Sequence, residues 1–204
     1  MFVSKGFYRE FSKSLLKLVL AGAIIGLTHQ YDIAIALILV LIIVRNLYKN
    51  IERKDNFNKI HVIGMIITGV LGVAVEYWGV NNEYWLYHNL SNGRSFPYWL
   101  PFAWMLAFSY LYIIEKRILK FLTNKNLQNK ILLIILVATV FPVLGEIITI
   151  NLGVWTYYWP YQFLGIPVYA VFGLLTLHMF VNLILAFICK RYKIDDPIYS
   201  LKTI

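Results

Sequence analysis

The chain has 204 residues, of which 60% are hydrophobic and only 14% are charged. Soluble globular domains carry roughly a quarter charged residues, so this composition excludes an ordinary soluble domain. It predicts a single integral membrane domain, residues 1–204. The net charge of +9 would fit a nucleic-acid partner only if the basic residues formed one surface patch, which their positions do not favour.

Six hydrophobic runs follow one another along the chain. They cover approximately residues 14–29, 31–47, 60–80, 98–114, 131–150 and 166–189. At about 1.5 Å per residue most of these runs reach the roughly 30 Å of a bilayer's hydrocarbon core. The first run is short and needs its flanking residues. The predicted fold is therefore all-α, a polytopic membrane bundle of about six transmembrane helices.

Basic residues occupy every second connection between these runs. They cluster before the first run, between the second and third, between the fourth and fifth, and after the sixth, whereas the other connections contain only Arg94. The positive-inside rule then predicts cytoplasmic N- and C-termini in a cell inner or plasma membrane. Orientation accounts for the net charge, so we expect no nucleic-acid partner. Arg94 could pair with Glu83 or receive an anionic headgroup.

A shift of 70 residues relates the later runs to the middle ones. Between residues 73 and 102 the shift gives seven identities in 30 positions, where about two or three would arise by chance. The identical pairs are Val73 and Val143, Glu76 and Glu146, Asn81 and Asn151, Trp85 and Trp155, Tyr87 and Tyr157, Pro97 and Pro167, and Phe102 and Phe172. The pattern predicts a parallel internal repeat in which helices 3–4 and helices 5–6 form units of approximately 60–115 and 131–189.

Glu76 and Glu146 each lie about four residues inside the end of a hydrophobic run. A charged side chain at the centre of a membrane helix costs roughly 2.5–3.5 kcal/mol, so two such residues need a reason to be there. Gly69, Gly72 and Gly79 share a helix face with Glu76, and small residues of this kind mark close helix packing. We therefore expect Glu76 to face protein, and both carboxyl groups to open onto one pocket.

Two adjacent carboxyl groups suit acid-initiated chemistry on an alkene or epoxide. A protonated acid donates a proton, an ionised one removes a proton elsewhere, and aromatic faces stabilise the carbocation between these steps. Glu76 and Glu146 are the predicted catalytic residues, with no cofactor and no metal. The predicted substrate-binding residues are Asn81, Trp85, Tyr87, Trp104, Asn151, Trp155, Tyr157 and His178. The alternative interpretation is that the glutamates only accept hydrogen bonds from the loops beyond them.

The string from Glu76 to Trp104 resembles a family of membrane-bound carotenoid biosynthesis proteins. It contains Gly79, Trp85-x-Tyr87 and Ala103-Trp104, and the later Gly153-Val154-Trp155 and Gly165-Ile166-Pro167 are similar to further elements of that family. The family includes bisanhydrobacterioruberin hydratase, and the similarity covers roughly residues 60–180. The resemblance implies hydration of terminal alkenes on long carotenoid chains, with Glu76 functional. The aspartate expected in the later half is replaced by Glu146 or absent.

Three hypotheses follow for the function. The first is an integral membrane enzyme, a hydratase (lyase) or cyclase, acting on a long isoprenoid or carotenoid-type lipid through the two glutamates. The alternative is a binding or transport protein that uses the same glutamates to handle a proton, a cation or a small molecule. The third is an assembly subunit that docks through its aromatic loops. The sequence makes no prediction of substrate identity or oligomeric state.

Overall fold

The computed structural model describes residues 5–53, 56–90 and 93–199. All six expected helices are present in this part of the chain. They are α1 (Lys5–Thr28), α2 (Asp32–Arg53), α3 (Asn56–Asn81), α4 (Leu100–Ile118), α5 (Leu127–Asn151) and α6 (Val168–Tyr192). The helices extend beyond the hydrophobic runs because polar and charged residues at the ends do not interrupt helical hydrogen bonding.

Four of these helices, α1, α3, α5 and α6, are long and apolar enough to cross a membrane by length and composition. The chain thus has the helices of a membrane protein. The shorter α4 includes Glu115, Lys116 and Arg117 in its last turns, which lowers its apolar character. The termini that we expect to be cytoplasmic, residues 1–4 and 200–204, lie outside the described residues. Lys54, one of the basic residues between the second and third hydrophobic runs, also lies outside them.

The glycine face of α3 packs directly against α4. A Cβ atom added to Gly69 would lie 2.7 Å from Met105 Cγ, and one added to Gly72 would lie 2.3 Å from Trp104 Cγ. These separations are shorter than a van der Waals contact, so the two helices approach as closely as they do only because both positions lack a side chain. The packing brings Trp104 beside the end of α3.

Two short strands join the loops that follow α3 and α5. Strand β1 (Trp85–Tyr87) pairs antiparallel with β2 (Trp155–Tyr157), with Leu86 opposite Thr156. A second hairpin, β3 (Gln162–Phe163) and β4 (Ile166–Pro167), leads into α6. The end of the bundle that carries β1 and β2 is called the sheet end below. Because strand side chains alternate, the Trp and Tyr of each strand face the helices while Leu86 and Thr156 are exposed.

Arg94 pairs with Asp32, the first residue of α2, and not with Glu83. The other Asp32 oxygen accepts a hydrogen bond from Tyr98 N at 2.8 Å, and the Arg94 guanidinium lies 3.9 Å from the Tyr98 ring centroid. Glu83 is exposed, at a left-handed backbone position with φ 57°. The charge pair therefore ties the α1–α2 hairpin to the connection between β1 and α4.

Candidate functional site

The Glu76 carboxylate accepts three hydrogen bonds from aromatic side chains. Its Oε2 atom accepts from Trp85 Nε1 at 2.8 Å and from Tyr87 OH at 2.9 Å, and its Oε1 atom accepts from Trp104 Nε1 at 3.1 Å. The side chain is buried at the sheet end of α3. Two donors come from β1 and one from α4, so both oxygens are hydrogen-bonded to protein.

Glu146 has fewer hydrogen-bond donors. Its Oε2 atom accepts from Tyr157 OH at 2.9 Å, the counterpart of the Tyr87 bond to Glu76. Trp155 comes close to the same carboxylate, but its buried Nε1 atom does not complete a hydrogen bond with any described residue. Under the 70-residue shift the position of Trp104 is taken by Leu174, which has no donor. The two glutamates therefore occupy similar positions but accept different numbers of hydrogen bonds.

Helix and strand geometry together explain the Glu-x8-Trp-x-Tyr spacing. The glutamate stands one turn before the end of its helix, and the chain then reverses so that a strand runs back over that turn. Residues two apart on a strand share a face, so Trp85 and Tyr87 both reach Glu76. Trp155 and Tyr157 face the end of α5 in the same way.

Gly79 permits the Trp85 contact. A Cβ atom at this position would lie 1.8 Å from Trp85 Cη2, so the indole ring occupies the space of the absent side chain. The equivalent position beneath Trp155 is Thr149, which is buried and whose hydroxyl bonds back to Gly145 O at 2.9 Å. The later repeat therefore lacks the glycine that makes room for the indole ring in the first.

The two tyrosines act as neutral donors at physiological pH. Burial raises the pKa of both the Tyr87 and Tyr157 hydroxyls well above the ordinary value, and the neighbouring carboxylates raise it further. Each hydroxyl therefore keeps the proton that it donates to its glutamate.

Both glutamates line one cavity of about 520 Å³. Its walls are mainly aromatic and apolar, and they come from α3, α4, α5, α6 and the strands. The lining includes Glu76, Trp78, Trp85, Trp104, Glu146, Tyr157, Trp159, Tyr169, Gly173, Leu177 and Phe180. A volume in this range is typical of sites for small organic ligands.

The cavity opens sideways between α3 and α6. Trp78 is 47% exposed and Phe180 is 53% exposed at its edge. A second depression of about 320 Å³ shares Val75, Trp78, Leu177 and Phe180 with the cavity. Together with Leu71 and Ala74, these residues form the α3–α6 groove. Both α3 and α6 are among the four helices that are long and apolar enough to cross a membrane.

The structure brings together some of the predicted site residues and separates others. Those that line the cavity are Glu76, Glu146, Trp85, Trp104 and Tyr157. Tyr87 lies behind them as a donor to Glu76, and Trp155 packs against Tyr87 with ring centroids 5.5 Å apart.

Asn81, Asn151 and His178 do not line the cavity. The two asparagines are exposed at the last residues of α3 and α5, where Asn151 Nδ2 bonds to Ile147 O of its own helix at 2.7 Å. His178 faces α4, where its Nε2 atom lies 2.7 Å from Glu115 Oε1.

Sequence analysis did not identify two groups of residues. Trp159 and Tyr169 line the cavity and have rings 5.3 Å apart. Neither is matched in the repeat, so the spacing argument did not select them. The second group is Glu115 and Asn182, which form a buried polar cluster with the predicted residue His178; Asn182 Nδ2 lies 3.3 Å from Glu115 Oε2. From the sequence alone, a glutamate in the last turns of α4 is expected at the membrane interface. Only the packing of the helices shows that Glu115 is buried.

None of the protein-family models, curated proteins or solved structures compared with the chain matches it.

Proposed function

We propose that the chain is an integral membrane enzyme that acts on a long isoprenoid or carotenoid-type lipid by acid-initiated hydration or cyclisation. The proposal includes six membrane spans, a parallel repeat of helices 3–4 and 5–6, and a cytoplasmic location for the basic connections. The paired glutamates with their aromatic neighbours and the resemblance to carotenoid hydratases support the same reaction class, and the geometry of the site is compatible with it.

The observation that carries the proposal is that Glu76 and Glu146 line the same aromatic cavity. Acid-initiated chemistry on an alkene needs a proton donor, a proton acceptor and walls that stabilise a carbocation without reacting with it. The cavity supplies two carboxyl groups and the faces of several indole rings. Its sideways opening would admit a substrate from the bilayer without exposing the substrate to bulk water.

We assign these two roles to the two acids from their hydrogen bonds. Both Glu76 oxygens accept bonds from protein donors, which suits a carboxylate that stays ionised and receives a proton. Glu146 accepts one bond, at Oε2, and Oε1 is the atom proposed to carry the proton toward the cavity.

The proposed reaction begins when Glu146 Oε1–H protonates the terminal carbon of an alkene, forming a C–H bond and a tertiary carbocation. In hydration, a water molecule forms a C–O bond to the cation and gives its extra proton to a carboxylate. In cyclisation, an internal double bond attacks the cation and a neighbouring C–H proton is lost to the carboxylate. In either route Glu146 loses one proton and Glu76 gains one, so the transfer of that proton from Glu76 back to Glu146 completes the cycle; no redox step is required.

The test compares lipid extracts from cells that produce the isoprenoid and express the wild-type chain, Glu76→Gln, Glu146→Gln or Glu83→Gln. Loss of general acid–base catalysis costs about 100- to 10,000-fold, so each site variant should abolish the product. Glu83→Gln removes the same charge from an exposed position outside the cavity and should leave the product unchanged. A wild-type lipid profile in both site variants would reject the enzyme proposal.

Proton or cation handling is the second candidate. One observation favours it: Glu115 and His178 form another buried ionisable contact, one helical turn beyond the cavity residue Leu174. Ionisable residues inside a membrane bundle often mark ion pathways. This candidate predicts pH-dependent uptake into proteoliposomes that Glu146→Gln abolishes, with no change in lipid composition.

A further inference from the structure

We propose that the cavity and the α3–α6 groove together bind a cationic amphiphile, with its ammonium headgroup between the two glutamates and its single apolar chain in the groove. The inference goes beyond the proposed reaction because it depends only on the shape and charge of the site.

The charge of the cavity favours a cation. Its lining contains two carboxyl groups and, among the described residues, no lysine, arginine or histidine. Arg94, on a nearby loop, is held by Asp32 and does not reach the cavity. Acidic side chains at membrane depth are normally paired with an opposite charge. The chain supplies none here, so a bound ammonium would provide it.

The two glutamates differ in the number of hydrogen-bond donors that already contact them. Glu76 already has three donors, whereas Glu146 has one donor among the described residues. Gly173 and Leu174, which also line the cavity, have no donor groups in their side chains. In its ionised form, which it would also take after giving up its proton in the proposed reaction, Glu146 therefore has the greater capacity to contact a ligand cation.

The aromatic walls match an ammonium headgroup. Trp159 is central, with ring centroids 5.9 Å from Trp78, 6.4 Å from Trp85 and 5.3 Å from Tyr169. The Trp78 and Trp159 rings meet edge to face, with their planes inclined by 64°. Quaternary ammonium groups bind to such sets of aromatic faces because the negative face of each ring attracts the cation.

The α3–α6 groove indicates the chemistry of the ligand beyond its ammonium headgroup. Val75, Trp78, Leu177 and Phe180 line both the cavity and the groove, so the two spaces are continuous. The further residues Ala74 and Leu71 are apolar and lie about one and two turns, respectively, along α3 from Trp78. An occupant with its charge at Glu146 would therefore extend a hydrocarbon chain along α3 toward the middle of the bilayer. A water-soluble ammonium ion would leave this apolar surface uncovered.

The experiment titrates the purified full chain, in an uncharged maltoside detergent, with dodecyltrimethylammonium below its critical micelle concentration. Binding is followed by tryptophan fluorescence and by the temperature of unfolding. We expect a saturable fluorescence change and a stabilised protein. Dodecanol has the same chain without the charge, and tetramethylammonium has the same charge without the chain. Each should bind at least about tenfold more weakly.

Variants of the chain identify the site. Glu146→Gln should weaken dodecyltrimethylammonium binding about tenfold or more, Glu146→Asp should retain most of the affinity, and Glu83→Gln should bind as the wild type does. Trp159→Leu should also weaken binding, and this variant serves as the test if Glu146→Gln does not fold. Equal binding of dodecanol, equal binding of tetramethylammonium, or equal losses in Glu83→Gln and the site variants would overturn the inference.

The result is separable from that of the proposed reaction. If the wild-type chain binds dodecyltrimethylammonium as expected, and the glutamine variants have an unchanged lipid profile, the reaction alone would be rejected. A lost lipid product together with no ammonium binding by the wild-type chain would reject this inference alone.

Discussion

The environment of each glutamate is decided by single residues near it. Gly79 leaves room for Trp85 to reach Glu76, whereas the equivalent residue 70 positions later is Thr149. Leu174 stands at the position equivalent to Trp104, whose indole is a donor to Glu76. These two differences accompany one carboxyl group with three donors and one with a single donor, which is the difference that a proton acceptor and a proton donor require.

Gly79→Ala tests the first of these contacts. The added Cβ would lie 1.8 Å from the Trp85 ring, so the ring must move away from Glu76 and leave its carboxylate with one donor fewer. We expect a loss of about 1–3 kcal/mol in the free energy of unfolding and a red-shifted tryptophan emission, both measured in detergent micelles.

Gly145→Ala is the matched control for Gly79→Ala. It is also a glycine in the last two turns of a helix, and no heavy atom lies within 4 Å of its added Cβ. Because alanine is a better helix former than glycine, this variant should be as stable as the wild type or more stable by up to about 1 kcal/mol. Similar effects of the two variants would contradict the role assigned to Gly79.

The contact between Glu115 and His178 predicts a strong thermodynamic coupling. Both side chains are buried and their Oε1 and Nε2 atoms are 2.7 Å apart. Removing one partner leaves the other buried without its contact, so Glu115→Leu and His178→Leu should each cost about 3–5 kcal/mol. The double variant should cost less than the sum by about 1–3 kcal/mol, measured by unfolding in mixed micelles.

The exposed ion pair of Glu10 and Arg117 serves as the reference for this cycle. Its atoms are 3.3 Å apart and the Arg117 side chain is 51% exposed. Solvent screening limits such a pair to less than about 1 kcal/mol. Additive costs at Glu115 and His178 would show that the two residues do not stabilise each other.

Among the elements, the pairing of β1 with β2 does most to assemble the site. The strands come from loops about 70 residues apart, and their register places Trp85 opposite Tyr157. Each strand supplies donors to its own glutamate, and the pairing holds both glutamates beside one cavity. The side chains of Leu86 and Thr156 project from the other face of this sheet.

A cysteine pair tests the register of these strands. Leu86→Cys and Thr156→Cys, in a Cys189→Ala background, place two thiols on directly opposite residues. Opposite residues on antiparallel strands have Cα atoms about 4.5–5.5 Å apart, within the range of a disulfide. We expect near-complete oxidation within the chain, seen as the loss of two hydrogens by mass spectrometry. The pair Leu86→Cys and Tyr158→Cys, displaced by two residues, should oxidise far less. The reverse order would mean a different register.

The helices could be predicted from the sequence because a long apolar run can form few structures other than a helix in a membrane. The strands could not, since three residues carry too little pattern and their pairing depends on loops distant in sequence. The glutamates and the Trp-x-Tyr donors were predicted from their repeated spacing. Asn81 and Asn151 repeat as well, but they are the last residues of α3 and α5, where repetition reflects the helix end and not the cavity.

At the scale of the whole molecule, the surface is apolar where a bilayer would contact it. Leu20, Ile24, Leu37 and Leu41 of the first two helices are exposed, and the charged residues lie mainly at the ends of the helices. The Asp32–Arg94 pair joins this hairpin to the loop that carries β1. The α1–α2 hairpin, which lacks the repeated motif, therefore supports the sheet end without contributing a side chain to the cavity.

The proposed six-span topology makes a direct prediction for cysteine labelling in intact cells. Gln30 and Ser95 are exposed at the sheet end, whereas Arg45 and Lys120 are exposed toward the other end. Arg45 follows Asp32 by 13 residues of helix, or about 20 Å. If α2 and α4 both cross the membrane with the basic end inside, a membrane-impermeant maleimide should label Gln30→Cys and Ser95→Cys from outside. It should label Arg45→Cys and Lys120→Cys only after permeabilisation.

These labelling experiments use the Cys189→Ala background, and full labelling of each variant after solubilisation shows that its thiol is reactive. Labelling of Arg45→Cys from outside would mean that α2 does not cross the membrane, because Gln30 and Arg45 would then share a side. Protection of all the sheet-end cysteines, with labelling of Lys120→Cys, would mean the opposite orientation. In that case the cavity would lie at the cytoplasmic leaflet, and its substrate would have to come from that side of the bilayer.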